Sequence, residues 1–155
     1  MIDRLSRRGF LGAIAAACCV PARLSAAGLE IRVFKNPDCG CCSAWIEILE
    51  AEGFQVQQAN VGQDELNRFK AISGVTEAMA SCHTALVEGY VVEGHVPVAE
   101  IYRLLTERPD AVGLSVPGMP YGSPGMGPEA EREAYDVMLM RRDGSAEVYR
   151  HYEAA

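Results

Sequence analysis

Long hydrophobic runs and a surplus of basic residues are both missing from this 155-residue chain. Its longest weakly polar stretch, Gly9–Val20, is shorter than the ~20 residues that a membrane-spanning helix needs. We therefore expect no transmembrane segment in the mature chain. The formal net charge of −7 argues against a nucleic-acid partner, because modules that bind nucleic acid usually carry a basic face.

The composition is that of a folded domain rather than a disordered chain. Hydrophobic residues make up 49% of the sequence and charged residues 23%, and this apolar share is too high for a disordered polar chain. The sequence contains no internal repeat and no second block of different composition. Its length is typical of a single domain.

The first 27 residues are typical of a removable export signal. They combine a basic start that contains Arg7 and Arg8, an apolar stretch over Phe10–Val20 and small residues at the end. The arginine pair resembles the twin-arginine signal, which exports folded proteins from the bacterial cytoplasm; an ordinary secretory signal is the alternative. We therefore predict an export signal over residues 1–27, a periplasmic location and one mature domain over residues 28–155.

Strands alternate with helices along the mature chain. The apolar patterns predict, in order, strand Ile31–Phe34, helix Ser43–Glu52, strand Phe54–Val61, helix Asp64–Ser73, a hairpin of Cys82–Val87 and Tyr90–His95, helix Pro97–Arg108, and a closing hairpin of Tyr135–Met140 and Glu147–Tyr149. The segment Val112–Pro128 is rich in Gly and Pro and is predicted to be a long loop. This order fits an α/β, thioredoxin-like fold, in which helices flank a mixed central sheet, with an extra C-terminal hairpin.

Four of the six cysteines lie beyond the predicted signal: Cys39, Cys41, Cys42 and Cys82. The first three follow the first predicted strand and begin the first helix, whose N-terminal N–H groups stabilise thiolate over thiol. Cys39 and Cys42 have the CxxC spacing of a redox disulfide. This spacing predicts a thiol–disulfide oxidoreductase that uses the pair.

A metal site is the competing interpretation of the same cysteines. Cys41 adds a third thiol that would disturb a two-cysteine relay, and Cys82 precedes the third strand, where the predicted fold points it at the cysteine loop. Four converging thiols favour a metal ion. Zinc, in a zinc-stabilised structural module, is the common choice for such sites. Cu(I) fits better because it accepts bridging thiolates, so we predict a multinuclear copper–thiolate site.

Two histidines and two methionines extend the candidate ligand set. A two-residue turn places Cys82 opposite His95 in the predicted hairpin, on one face of the sheet, so His95 is a predicted metal ligand. His83 points to the other face in this register and is only a possible ligand. Met119 and Met126 belong to two PGM motifs, and their soft thioethers suit Cu(I). Both are therefore predicted ligands, the alternative being that they pack against the core.

Several short motifs form a recognisable set in the mature chain. They are Asp38–Cys42 with Trp45, Ser81–Thr84, Gly89–Tyr90, Glu93–Pro97, Val116–Pro120 and Gly122–Met126. The set closely resembles the bacterial periplasmic copper-resistance family called CopG, formerly a domain family of unknown function. The resemblance covers nearly all of the chain from residue 31 to residue 149.

The resemblance carries specific expectations. It implies a thioredoxin-like fold, a cysteine-bridged multinuclear copper site and a role in copper tolerance, with interconversion of Cu(I) and Cu(II) as one way to act. Copper ions and other periplasmic copper-handling proteins are the partners that such a role requires. The cluster thiolates would be those of Cys39, Cys41, Cys42 and Cys82.

Overall fold

The computed structural model describes residues 28–155, so the predicted export signal lies outside the described residues. Its helices and strands are β1 (Glu30–Lys35), α1 (Gly40–Ala51), β2 (Gln55–Asn60), α2 (Gln63–Ile72), β3 (His83–Val87), β4 (Tyr90–Glu93), α3 (Val98–Glu107), β5 (Gly113–Ser115), β6 (Tyr135–Met140) and β7 (Ala146–Tyr152). Two short 3-10 helices, Glu77–Met79 and Glu129–Glu131, lie in the connections. None of the described helices has the length and apolar character that crossing a bilayer would require.

The strands form one mixed sheet in the order β2-β1-β3-β4-β5-β6-β7. The pairs β1–β2 and β4–β5 are parallel, and the other neighbours are antiparallel. Each parallel pair is joined through a helix, α1 or α3, as a parallel connection requires. The predicted mixed α/β class is confirmed, and nothing in the arrangement conflicts with the thioredoxin-like layout.

The main core lies between the sheet and the helices α1 and α3. In β1 the side chains of Ile31 and Val33 are fully buried while their neighbours are more exposed, which is the period-two pattern of a half-buried strand. Helix side chains Leu49 and Leu104 pack into the same cluster. Trp45 joins them, and its indole N–H donates to the Val96 carbonyl at 2.9 Å, which ties α1 to the start of α3.

Helix α2 supplies a different set of contacts. Its Phe69 ring lies 4.1 Å from the Phe34 ring of β1, and Leu66 is fully buried. Lys70, in the last turn of the same helix, is also buried and reaches polar groups of β3 and β4. Helix α2 therefore places a charged side chain, that of Lys70, in the protein interior.

The start of α1 and the extent of the predicted Gly- and Pro-rich loop differ from the predictions. Helix α1 begins at Gly40 rather than Ser43, so Cys41 and Cys42 belong to its first turn. The predicted loop Val112–Pro128 contains β5, which is only three residues long and fully buried. An added Cβ at Gly113 would lie 1.8 Å from the Val91 carbonyl oxygen, so close strand pairing requires glycine there. So short a strand shows no recognisable alternation.

Candidate metal centre

The cysteine loop is held in place by the turn between β1 and α1. The Asp38 N–H donates to the Asn36 side chain at 3.0 Å, and the Cys39 N–H donates to the Asn36 carbonyl at 3.1 Å. Lys35 is almost fully buried, and its Nζ donates to the carbonyls of Asn36 and Pro37 at 3.1 and 3.3 Å. These bonds fix the direction in which the chain enters α1.

Cys39 occupies the N-cap position of α1, and Cys41 and Cys42 follow in the first turn. Unpaired N–H groups and the helix dipole give this end of a helix a partial positive charge, which favours thiolates. Cys39 and Cys42 form a disulfide, whereas Cys41 and Cys82 are free. The CxxC pair therefore has the bonded state that the oxidoreductase hypothesis predicts.

Cys82 brings the fourth sulfur to this loop from a distant part of the chain. Its Sγ lies 3.5 Å from Sγ of Cys42 and 3.9 Å from Sγ of Cys41. Sγ of Cys41 lies 3.5 Å from Sγ of Cys39. All four sulfurs are within 4.8 Å of one another, so the two chain segments meet as the sequence predicted.

The β3–β4 hairpin places His95 beside Cys82. The strand register pairs Val87 with Tyr90 and continues to Thr84 with Glu93, and two further steps lead to Cys82 and His95. Sγ of Cys82 lies 3.0 Å from Nε2 of His95. Cys82 and His95 are therefore neighbours, as the hairpin register predicted.

The position of His83 matches its predicted one only in part. Its ring centre lies 4.4 Å from that of the core residue Trp45, as its predicted direction implies. However, Nδ1 also lies 3.4 Å from Sγ of Cys82, and the ring centre lies 5.0 Å from that of His95. Strand β3 begins at His83 rather than at Cys82, and β4 ends at Glu93 rather than at His95. Cys82 and His95 therefore lie outside the strands, where side chains need not alternate between the faces of the sheet. Cys82, His83 and His95 thus form a second group whose ligand atoms lie within 4.8 Å of one another.

The hydrogen bond of His95 defines which ring nitrogen carries the proton. Nδ1 lies 2.7 Å from the Pro124 carbonyl, and because a carbonyl only accepts, Nδ1 must donate. Nε2 then presents its lone pair to Cys82. Such a carbonyl bond to the distal nitrogen is the usual way that proteins orient a metal-binding imidazole.

Burial favours the uncharged forms of Cys82, His83 and His95. Desolvation, followed by the neighbouring Cys41 thiol, raises the pKa of the Cys82 thiol to about 12. Desolvation also lowers the pKa of His95, and lowers that of His83 well below its ordinary value. Neutral imidazoles can bind a metal ion directly, whereas the ion must displace the Cys82 proton.

The second PGM segment borders the cluster. An added Cβ at Gly125 would lie 2.8 Å from the backbone nitrogen of Trp45 and 2.9 Å from the Cys41 carbonyl oxygen, so this segment packs directly on the start of α1. Met126 is partly buried, whereas the Met119 side chain is 55% exposed. The second segment meets α1 through backbone atoms of Trp45 and Cys41. The ligand roles of both methionines stay predictions.

Sequence reasoning missed Lys70, which lies behind the cluster. Its Nζ contacts Glu93 and donates to the Thr84 hydroxyl at 3.0 Å, and all three side chains are buried. The available signal was the position of Lys70 four residues after Leu66, on the buried side of α2. The Pro124 carbonyl gave no comparable signal, because backbone groups are not distinguished by sequence.

The fold and these residues define a mixed α/β protein with a cysteine and histidine cluster that could hold a metal ion. The family model described as "Protein of unknown function, DUF411" matches residues 79–126, which include Cys82 and both histidines of the cluster. No functionally curated protein matches the chain.

Two solved structures resemble the chain along most of its length. One, described as copper resistance protein CopG form 2, is 46% identical, with a TM-score of 0.74. The other, described as form 1 of the same protein, is 44% identical, with a TM-score of 0.76. Each match covers 81% of this chain and 98% of the other. The chain belongs to the CopG copper-resistance protein family, as its motifs predicted.

Proposed function

We propose that this protein binds Cu(I) as its cargo in a cysteine-bridged, multinuclear site and thereby contributes to copper resistance. The convergence of four cysteine sulfurs within 4.8 Å of one another carries the proposal. The solved relatives are described as copper resistance proteins, which supports copper as the metal. The proposed ligands are Cys39, Cys41, Cys42, Cys82 and His95, with Met119, Met126 and His83 as additional donors.

The donor set favours a soft ion. Thiolates select Cu(I) and zinc over hard cations, and imidazole accepts either. Cys82 belongs both to the four-sulfur group and to the group with His83 and His95. One sulfur shared by two ligand groups is suited to bridging two ions, which supports a multinuclear site over a single tetrahedral zinc.

Full loading requires reduction of the Cys39–Cys42 disulfide. An external dithiol reductant would supply two electrons and two protons, breaking the sulfur–sulfur bond to give two thiols while the reductant becomes a disulfide. Cu(I) then displaces the thiol protons. Interconversion of bound Cu(I) and Cu(II), with one electron per ion exchanged with an external redox partner, is the redox activity that this site would support.

A thiol–disulfide oxidoreductase is the second candidate function. The observation that favours it is the disulfide between Cys39 and Cys42 at the N-terminus of α1, where a thiolate leaving group is stabilised. This function would use the two cysteines as a redox pair and would not need Cys82.

Metal titration of the reduced chain separates these functions. We would use the full chain in a Cys18→Ser/Cys19→Ser background, which removes the thiols of the predicted signal, and titrate Cu(I) anaerobically against bicinchoninate. The proposal predicts more than one tightly bound Cu(I) per chain, and fewer and more weakly bound ions in Cys82→Ser. One tightly held zinc ion with weak copper binding would instead support the zinc-stabilised module. Disulfide exchange that Cys82→Ser leaves intact, without copper binding, would support the oxidoreductase.

Export to the periplasm by the twin-arginine route is part of the proposal and rests on residues 1–27. We expect Arg7→Lys/Arg8→Lys to retain the chain in the cytoplasm, since the route reads the arginine pair. Fractionation followed by immunoblotting measures this retention. Unchanged export would indicate an ordinary secretory signal. Other periplasmic copper-handling proteins are the partners that would deliver or receive the metal.

A further inference from the structure

Lys70, Thr84 and Glu93 form a buried polar network between α2 and the β3–β4 hairpin. Lys70 of α2 donates to Thr84 at 3.0 Å and forms an ion pair with Oε1 of Glu93. The Thr84 hydroxyl donates to Oε2 of Glu93 at 2.6 Å. The side chains of Lys70 and Glu93 are 7% and 0% exposed, so both charges are removed from water.

The network extends to the residue before Cys82. The Ser81 N–H donates to Oε1 of Glu93 at 2.7 Å, and the Ser81 hydroxyl donates to the Gly118 carbonyl. Gly94 packs against the same serine so closely that an added Cβ would lie 2.4 Å from the Ser81 hydroxyl oxygen. Ser81 is thus held from three sides, and the direction of the following residue is constrained.

A buried ion pair alone contributes little net stability. Removing two charges from water largely offsets their mutual attraction, and replacing such a pair by apolar residues is often neutral. The Ser81 bond gives Glu93 a role that an apolar pair could not fill. Cys82 follows Ser81 directly and contacts both Cys42 and His95, so a shift at Ser81 would move a sulfur shared by both ligand groups.

We propose that Glu93 is a positioning residue for the metal centre: its carboxylate fixes the Ser81 N–H and thereby sets Sγ of Cys82 between the start of α1 and His95. Lys70 balances the charge of this carboxylate, and Thr84 orients it. The inference rests on the proposed function, because it concerns the affinity of the same site for Cu(I).

Two double variants separate positioning from simple charge pairing. Lys70→Met/Glu93→Gln and Lys70→Met/Glu93→Leu both remove the ion pair and keep side chains of similar size. Only the glutamine retains an oxygen that can accept the Ser81 N–H. If the network served charge pairing alone, the two variants would behave alike.

The first readout is Cu(I) affinity of the reduced full chain, measured by competition with bicinchoninate. We expect the glutamine variant to stay close to the wild type and the leucine variant to bind Cu(I) ~10–100-fold more weakly, the range found when outer-shell partners of metal ligands are removed. Equal affinities in the two variants would overturn the proposal. Thermal unfolding of both variants verifies that they are folded.

The second readout needs no metal. The rate of iodoacetamide labelling of Cys82, followed by mass spectrometry of the tryptic peptide that contains it, should rise several-fold in the leucine variant relative to the glutamine variant. Equal labelling rates would contradict positioning even if the wild type bound no copper. A wild type that fails to bind Cu(I) would instead refute the proposed function, so the two failures are distinguishable.

Thr84 provides a milder pair in case the leucine variant does not fold. Thr84→Ser keeps the hydroxyl that donates to Glu93, whereas Thr84→Val removes it at nearly constant shape. We expect weaker Cu(I) binding and faster Cys82 labelling in the valine variant than in the serine variant. Identical behaviour of these two variants would also overturn the proposal.

Discussion

Sγ of Cys82 and Nε2 of His95 lie 3.0 Å apart, although thirteen positions separate them in the chain. The hairpin register brings the two residues together, and the Nδ1 bond to Pro124 turns the lone pair of Nε2 toward the sulfur. In the metal-free protein the thiol proton can occupy this contact. A soft metal ion that displaces the proton would find a sulfur and a nitrogen donor already adjacent.

Replacing Cys82 tests the shared sulfur. Cys82→Ser removes the only donor common to both ligand groups found in the described residues, so we expect it to bind fewer Cu(I) ions, and those at least ~10-fold more weakly. Anaerobic titration with equilibrium competition measures both quantities. Cys39→Ser is the matched comparison, because it removes a sulfur of one group only and should cost less. Similar losses in both variants would argue against a bridging role for Cys82.

His95 and His151 form a matched pair of histidine positions. His151 is exposed and bonds to Asp136 on β6, away from the cluster. We expect His95→Ala to lower Cu(I) affinity by at least ~10–100-fold, the range found when an outer-shell partner of a metal ligand is removed, while His151→Ala leaves it unchanged. X-ray absorption of the copper-loaded protein should show nitrogen scattering that falls in His95→Ala and is unchanged in His151→Ala. Unchanged nitrogen scattering in His95→Ala would show that His95 is not a ligand.

The parts of the site set by local rules were predictable from sequence. Hairpin register follows from a two-residue turn and alternation, so the neighbourhood of Cys82 and His95 could be read from the chain. The cysteine motif could be placed at the start of α1 because a strand and turn residues precede it. Family motifs then identified the relatives that the structure matches.

The remaining features depend on tertiary structure that local patterns do not encode. His83 joins the cluster because β3 begins there, so that Cys82 lies outside the strand, and the bounds of a strand are the least certain part of a prediction from sequence. The short strand β5 is stabilised by its two neighbours rather than by its own pattern. Lys70 is buried because Glu93 and Thr84 lie opposite it, which only the packing of α2 on the sheet determines.

The raised pKa of Cys82 predicts a loss of stability at alkaline pH. Burial moves this pKa from 9.0 to about 12, so the folded state binds the thiol proton more tightly than the unfolded state does. The resulting stabilisation is complete below the unfolded value and is lost as the pH rises toward the folded one. The difference in unfolding free energy between the wild type and Cys82→Ser should therefore fall from pH 9.0 toward pH 12.

Urea denaturation of the metal-free protein under anaerobic conditions measures this difference at each pH. Comparing the two proteins cancels the titration of residues that do not contact Cys82, including Tyr135, whose pKa burial also raises to about 12. A difference that stays constant across the alkaline range would show that Cys82 titrates alike in the folded and unfolded states.

The two PGM motifs allow a matched test of how closely the second one packs on the cysteine loop. Gly118 and Gly125 both have positive φ values, +70° and +83°, so alanine introduces backbone strain of ~1–2 kcal/mol at either position. At Gly125 the added Cβ would clash with the backbone nitrogen of Trp45 and the carbonyl oxygen of Cys41. At Gly118 nothing lies within 4 Å of the added Cβ. We expect Gly125→Ala to cost a further ~1–3 kcal/mol of unfolding free energy, the range for overpacking. Chemical denaturation measures this cost, and equal losses in the two variants would show that the second motif does not press on the start of α1.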